Sequence, residues 1–177
     1  MRKIAGFLLC LALAACATKP PPLARLGLKL PPAALGESIS IQQHLTVEKG
    51  GRTDELDAAL EVDARHVELV GLAFGQRVLT LQYDGKELKT WRHLMLPSEV
   101  KADDVLEDLQ LALWPADAVA RALPQGWRIE DAGLARRLYL NDELVASIDY
   151  SAMPRWSGTI RMNNLRYKYR LTIQSAN

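Results

Sequence analysis

Cysteine is almost missing from this sequence, and its scarcity removes several kinds of chemistry. The chain has two cysteines, Cys10 and Cys16, and both lie near the N-terminus. The remaining residues therefore offer no disulfide, no cysteine-ligated metal and no cysteine nucleophile. The sequence also lacks a glycine-rich phosphate loop. Its apolar run at residues 4–14 is shorter than the roughly 20 residues that cross a bilayer.

Catalytic signatures are scarce as well. Ser98 and Lys101 have the S-x-x-K spacing of penicillin-binding enzymes, but the partner S-D-N and K-T-G sequences are missing. Three histidines stand alone, without the paired spacing of a metal site: His44, His66 and His93. We therefore predict no catalytic residue, no metal site and no cofactor, and a protein that is not an enzyme.

One acidic group is the exception to this scarcity, because four carboxylates lie within six residues of chain: Asp103, Asp104, Glu107 and Asp108. They fall in the early turns of a predicted helix, where the helix dipole favours negative charge. We expect them to form a solvated first turn, with a cation site as the alternative.

Neither sign of charge is in excess. The formal net charge is +1, and it becomes about −1 if Arg2 and Lys3 are removed with a leader peptide. No basic patch emerges from the pattern, which argues against a nucleic-acid partner.

The first sixteen residues follow the order of a secretory signal. Arg2 and Lys3 form a basic start, and residues 4–14 form the apolar core. Leu13-Ala14-Ala15-Cys16 then resembles the lipobox of bacterial lipoproteins, in which the cysteine receives diacylglycerol and becomes the new N-terminus. We predict a signal peptide at 1–15 and lipidation at Cys16. The alternative is an ordinary signal peptide with a chance cysteine.

Residues 16–36 predict a tether, because prolines at 20–22 and 31–32 favour an extended chain. Ala17 occupies the position where the best-known enterobacterial sorting rule places an aspartate to retain a lipoprotein in the inner membrane. Because residue 17 is alanine and not aspartate, the rule favours the outer membrane. Residues 37–177 remain for one domain, which is long enough to bury a core.

Period-two patterns run through most of this domain and predict antiparallel strands. Gly50-Gly51, Asp84-Gly85, Asn141-Asp142 and Asn163-Asn164 are placed as hairpin turns between such runs. The period changes once, where Val105, Leu106, Leu109 and Leu113 form a helical stripe, and Pro115 starts a second short helix. The fold class is α+β: an open antiparallel half-barrel whose helical insert plugs the concave face.

The turn Gly71–Gln76 has an unusual composition. Its middle carries Leu72 and Phe74, although turns favour small and polar residues. Each side chain left in water forfeits roughly 1.5–3 kcal/mol of possible burial. We predict an exposed apolar tip that enters a membrane interface; the alternative is a loop folded back onto the core.

These features together resemble LolB, the outer-membrane lipoprotein receptor of the LolA/LolB family. Ala73-Phe74-Gly75 stands where LolB has Pro-Leu-Gly, and Leu123-Pro124 and Ala152-Met153-Pro154 are similar in order and place. The stretch 109–115 resembles instead LolB-like lipoproteins of unknown function that are often encoded with aryl polyene enzymes.

The resemblance implies an outer-membrane lipoprotein that faces the periplasm and binds or hands over an acylated cargo. The cargo is a lipoprotein or a polyene lipid, a LolA-like periplasmic carrier is the implied partner, and we expect a monomer. The alternative is a structural or assembly-partner lipoprotein without a ligand.

The period places nine apolar residues around a cargo cavity, with a dry packed core as the alternative: Leu60, Val62, Leu69, Leu81, Trp91, Leu106, Leu109, Leu113 and Trp114.

Overall fold

The computed structural model describes residues 25–176, and a single sheet of ten strands dominates it. The strands are β1 (Ile39–Lys49), β2 (Arg52–Val62), β3 (Val67–Ala73), β4 (Gln76–Tyr83), β5 (Leu88–Arg92), β6 (Trp127–Ala132), β7 (Ala135–Leu140), β8 (Glu143–Tyr150), β9 (Thr159–Asn164) and β10 (Tyr169–Ser175). Their order is β5-β4-β3-β2-β1-β10-β9-β8-β7-β6, and neighbouring strands pair antiparallel. The predicted open antiparallel sheet with a helical insert is confirmed.

Two-residue hairpins form where the chain supplies residues that accept positive φ. Gly50 and Gly51 have φ of 59° and 80°, and they join Lys49 to Arg52. Asn141 and Asp142, at 47° and 66°, join Leu140 to Glu143 in the same way. These angles match the right-handed twist of the strands, so both turns lie where the sequence predicts them.

The last hairpin turns later than predicted. Asn163 and Asn164 stay in β9, and the turn is formed by residues 165–168. The Asn164 carboxamide oxygen accepts the backbone N–H of Tyr167 at 3.0 Å, and Lys168 takes a φ of 55°. This side-chain hydrogen bond holds the turn beyond Asn164, so Leu165 lies in the turn and is exposed.

Two helices follow β5 and pack on one face of the sheet. They are α1 (Ala102–Leu113) and α2 (Ala116–Ala122). We call this sheet face the inner face; it carries Leu60, Leu69, Leu81 and Ile148, which share one core cluster with Leu106, Leu109 and Trp114. Within the described residues, no helix is long and apolar enough to cross a membrane.

A buried arginine fixes the end of α1 to the sheet. Arg136 of β7 is 1% exposed, and its Nη1 donates to the carbonyls of Leu111 and Trp114 at 2.6 and 2.8 Å. Its Nε and Nη2 grip both oxygens of Asp131. The last carbonyls of a helix have no partner within the helix, and a cation is favourable there.

Part of the predicted tether is folded. Residues 25–36, which we call the strap, pack against α1 and the inner face, and their 3-10 turn spans Pro32–Leu35. Leu28, Leu30 and Leu35 are buried in the core. The predicted tether is therefore wrong for this stretch, because alternating leucines between the prolines give the chain an apolar side to bury. The predicted signal peptide, Cys16 and Ala17 lie outside the described residues.

Trp91 is not an inner-face residue. It pairs with Thr80 across β4 and β5, whereas Leu79, Leu81 and Tyr83 alternate onto the inner face. Its ring is 42% exposed and lies 4.4 Å from the guanidinium of Arg77. The strand pair therefore places Trp91 on the opposite side, where it does not line the interior.

This difference can be measured with two truncations. Leu81→Ala empties a fully buried site, so we expect it to lower the free energy of unfolding by about 2–5 kcal/mol. Trp91→Ala removes an exposed cation–π contact and should cost about 1 kcal/mol or less. Urea unfolding followed by circular dichroism checks both, and equal losses would place Trp91 in the core after all.

Candidate functional site

The tip of the β3–β4 hairpin is a bare phenylalanine. Phe74 and Gly75 form a two-residue turn with φ of 52° and 73°, and the Phe74 side chain is 94% exposed. Positive φ is a real outlier for a bulky residue and costs roughly 1–2 kcal/mol. The fold therefore gains nothing from this phenylalanine, since it is strained and unburied. Asparagine or glycine would serve the turn better.

Leu72 does not share the tip. It lies in β3, is partly buried, and pairs with Asp57 on one side and Arg77 on the other. Leu72 is therefore a strand residue, and Phe74 alone forms the apolar tip of the turn.

Other exposed apolar side chains lie at the same end of the sheet. In an antiparallel meander alternate connections share an end, which places the β1–β2, β3–β4, β7–β8 and β9–β10 turns together with the loop after β5. Leu94 is 100% exposed in that loop, and Met95 and Leu165 are exposed as well. We call this the tip end. Leu134 and Met153 are exposed at the opposite end, beyond the β6–β7 turn and β8.

One depression at the tip end is lined mostly by polar and basic residues. An open depression of about 390 Å³ lies beside the Gly50–Gly51 turn and is lined by Glu48, Lys49, Gly50, Gly51, Arg52, Thr53, Asn163, Lys168, Tyr169 and Arg170. Four of these side chains are basic and one is acidic. Basic side chains at the same end as exposed apolar ones suit contact with an anionic boundary between water and lipid.

The predicted cargo cavity is filled by side chains in the part of the domain that the structure describes. Eight of the nine residues predicted to line a cavity are buried in one core cluster, and Trp91 is the exception. The small cavity beside this core has a volume of about 10 Å³, which is room for about one water molecule. In this structure the strap supplies part of the filling, since Leu28 and Leu30 belong to the same cluster. Each such leucine contributes roughly 1.5–3 kcal/mol by burial.

The strap is held by buried polar groups as well as by leucines. The Gln110 side chain is 0% exposed; its Oε1 accepts the Leu30 N–H and its Nε2 donates to the Leu30 carbonyl, both at 2.9 Å. Trp114 Nε1 donates to the Pro31 carbonyl at 3.1 Å, and the Tyr83 hydroxyl donates to the Lys29 carbonyl at 3.2 Å. The strap thus bridges α1 and β4 through its own backbone.

Only Asp103 of the acidic group on α1 is solvated; the other three carboxylates lie against the strap. Glu107 is 2% exposed and accepts the Gly27 N–H at 2.7 Å. Arg25 Nη1 donates to Asp108 at 3.0 Å, and the Tyr169 hydroxyl donates to the same carboxylate at 2.5 Å. The Arg25 guanidinium also lies 4.2 Å from the Tyr167 ring. Expectation and structure differ because the strap covers this face of the helix.

Three carboxylates share one guanidinium at this contact, since Asp104 and Glu107 each lie 3.6 Å from Arg25 as well. Burial raises the pKa of Asp108 to about 6 despite the attraction of Arg25. Burial also raises the pKa of Glu107 above its ordinary value. Desolvation disfavours the charged form of both acids.

The histidine nearest to a carboxylate on the sheet is exposed. His44 and Asp57 pair at 2.8 Å across β1 and β2, both open to solvent. In the part of the chain that the structure describes, no three histidine, cysteine, aspartate or glutamate residues are grouped to hold a metal ion.

The sequence analysis did not predict that the strap packs on the domain, although the sequence contains a pattern that indicates it. Leu26, Leu28 and Leu30 alternate with Gly27 and Lys29, which is the period of a half-buried extended segment. The flanking prolines favour a tether, and the partner Gln110 sits eighty residues away. The pattern therefore offers no way to see the pairing.

Comparison with known proteins gives one family. The model of DUF3261, described as a protein of unknown function, matches residues 40–177. No curated protein matches. The strap precedes the matched region.

The Asp108 carboxyl predicts a stability that depends on pH. Its folded pKa of about 6 exceeds the ordinary 3.8, so the stabilisation is complete below about pH 4 and is lost as the pH rises through about 6. We expect the melting temperature to rise between about pH 7 and about pH 5, and Asp108→Asn to remove most of that rise. The control Asp103→Asn alters an exposed neighbour and should keep it. Equal slopes in all three proteins would exclude Asp108 as the responsible group.

Proposed function

The chain belongs to the DUF3261 family, and from that premise we propose that it is a lipid-anchored outer-membrane protein of the periplasmic face that passes an acylated cargo to the membrane. The finer likeness to LolB and to lipoproteins encoded with aryl polyene enzymes is part of the proposal. A lipoprotein or a polyene lipid is the cargo, and a LolA-like carrier is the donor.

Phe74 is the observation that carries this proposal. It is strained, exposed and without benefit to folding, so its value must come from a partner outside the domain. A bilayer interface would bury the ring and return roughly 1.5–3 kcal/mol. Leu94 and Met95 at the same end would add to this contact.

The direction of the chain supports a membrane as that partner. Arg25 contacts Tyr167 and Tyr169 at the start of β10, so the strap enters the domain from the tip end. Nine residue-to-residue intervals separate Cys16 from Arg25, and a chain of that length spans at most about 30 Å. A lipid on Cys16 would therefore hold the tip end close to the bilayer, and even a weak insertion would act at high effective concentration.

The filled interior favours a second candidate. A structural or assembly-partner lipoprotein needs no cavity, and the space beside the core holds about one water molecule. In that case the tip end would contact a protein partner rather than release a cargo. The experiments below separate the two functions.

Anchoring depends on Cys16. Cys16→Ala removes the thiol that accepts diacylglycerol, so we expect an uncleaved precursor without acyl chains. Metabolic labelling with a palmitate analogue and fractionation of the membranes would show this. A mutant that is still cut at the same residue and still found with the outer membrane would contradict the lipoprotein proposal.

The tip should control transfer and not stability. Phe74→Glu replaces the ring with a charge that the interface does not bury. The lost burial energy predicts that a fluorescent acylated cargo enters liposomes about tenfold more slowly, or slower still. Phe74→Asn should slow transfer similarly while keeping or raising the melting temperature, because asparagine tolerates positive φ.

The matched control is Leu134→Glu, an exposed apolar residue at the opposite end of the sheet. It should leave both transfer and stability unchanged. Transfer that is slowed equally by Leu134→Glu, or not at all by either Phe74 variant, would leave the tip without a membrane role.

A further inference from the structure

The strap lies where an acyl chain would lie. It runs from the tip end, where Arg25 meets Tyr169, to the opposite end, where Pro31 and Pro32 lie against Gly85. Over this path its leucines enter the core that sequence periodicity assigns to cargo. The stretch 26–31 measures up to about 20 Å, which exceeds the ~15 Å that one leaflet contributes to the ~30 Å hydrocarbon thickness of a bilayer.

We propose that the strap occupies the acyl-binding groove of this protein and that cargo binds between α1 and the inner face by displacing it. The groove is then lined by the inner-face residues Leu60, Leu69 and Leu81 and by Leu106 of α1. This inference rests on the proposed function, since it gives the acyl cargo its site.

The contacts of the strap are of a kind that can be exchanged. Gln110 and Glu107 turn buried polar groups toward it, and those groups pair with strap backbone N–H and carbonyl groups. A permanent core contact gains more from apolar side chains. Polar groups regain hydrogen bonds with water when the strap leaves. The main cost of opening is then the exposure of Leu28 and Leu30, and an acyl chain that takes their place would offset it.

The position of the strap in the chain supports the same conclusion. The strap precedes residues 40–177, which the family model matches, and it connects directly to the segment that leads to Cys16. Movement of the anchored end would therefore act on the strap before it acts on the domain.

The charge around the groove selects the class of ligand. When Arg25 leaves, the tip end of the groove keeps three carboxylates, Asp104, Glu107 and Asp108, beside Tyr169. Anionic headgroups would be repelled there. The ligand class that fits is an acyl chain on a neutral ester or amide group.

The test uses the whole lipidated chain in vesicles that contain a photoactivatable monoacylglycerol. Leu28→Ser with Leu30→Ser weakens the strap, and Val78→Ser is the control because it places a serine at a buried residue outside that core cluster. Crosslinked peptides are mapped by mass spectrometry. The apparent affinity for the probe is proportional to the fraction of molecules whose groove is open. Because the strap variant opens more often, we expect about tenfold more crosslinks to α1 and β2–β4 in it. The control should match the wild type, and crosslinks at the tip should be equal in all three.

Two outcomes overturn the inference and differ in what they leave standing. Equal interior crosslinking in the wild type and the strap variant would mean that cargo binds without moving the strap, and the proposed function would stand. Interior crosslinking in neither protein would remove the acyl cargo together with the groove, and favour the assembly-partner function.

Hydrogen exchange on the wild type decides the matter if the strap variant does not fold. The Gly27 and Leu30 amides are bonded to Glu107 and Gln110, so the added monoacylglycerol should speed their exchange while the β9–β10 amides stay protected. Unchanged protection of Gly27 and Leu30 at saturating probe would overturn the inference.

Discussion

Covering the inner face of the sheet is the constraint on which this structure depends. Ten antiparallel strands present a continuous apolar face, and an open sheet cannot bury that face against itself. Helix α1 covers part of it and is fixed at its C-terminal end by Arg136, which neutralises Asp131 and caps the helix carbonyls. The strap covers a further part and reaches from β4 to the other flank of the helix.

The two covers differ in chemistry, and the difference bears on function. The end of α1 is held by an arginine that is 1% exposed and by the Tyr150 hydroxyl, which donates to Ala112 at 2.7 Å. The strap is held by backbone bonds to Gln110 and by an ion cluster with more carboxylates than cations. If the strap is displaced as we propose, this pairing of a fixed helix with a displaceable strap would keep the cargo site dry when it is empty.

The proposed transfer of cargo would use the tip end and the strap in one direction. Phe74 stands at the end of the sheet at which the strap enters the domain. A lipid anchor on Cys16 would hold that end at the bilayer, so a chain leaving the groove would emerge where the exposed ring disturbs the interface. The proposed function and the proposed groove therefore need no motion of the sheet itself.

The sequence by itself determined the strands, the helical insert and the isolated apolar turn, because each is written in a local period or in residues that accept positive φ. Most inner-face residues followed from the same period. Tertiary structure alone decided that Trp91 faces outward, that three of the four acidic residues of α1 lie against the strap, and that part of the predicted tether is core. These outcomes depend on strand register and on partners about eighty residues apart, and a local pattern carries no information about either.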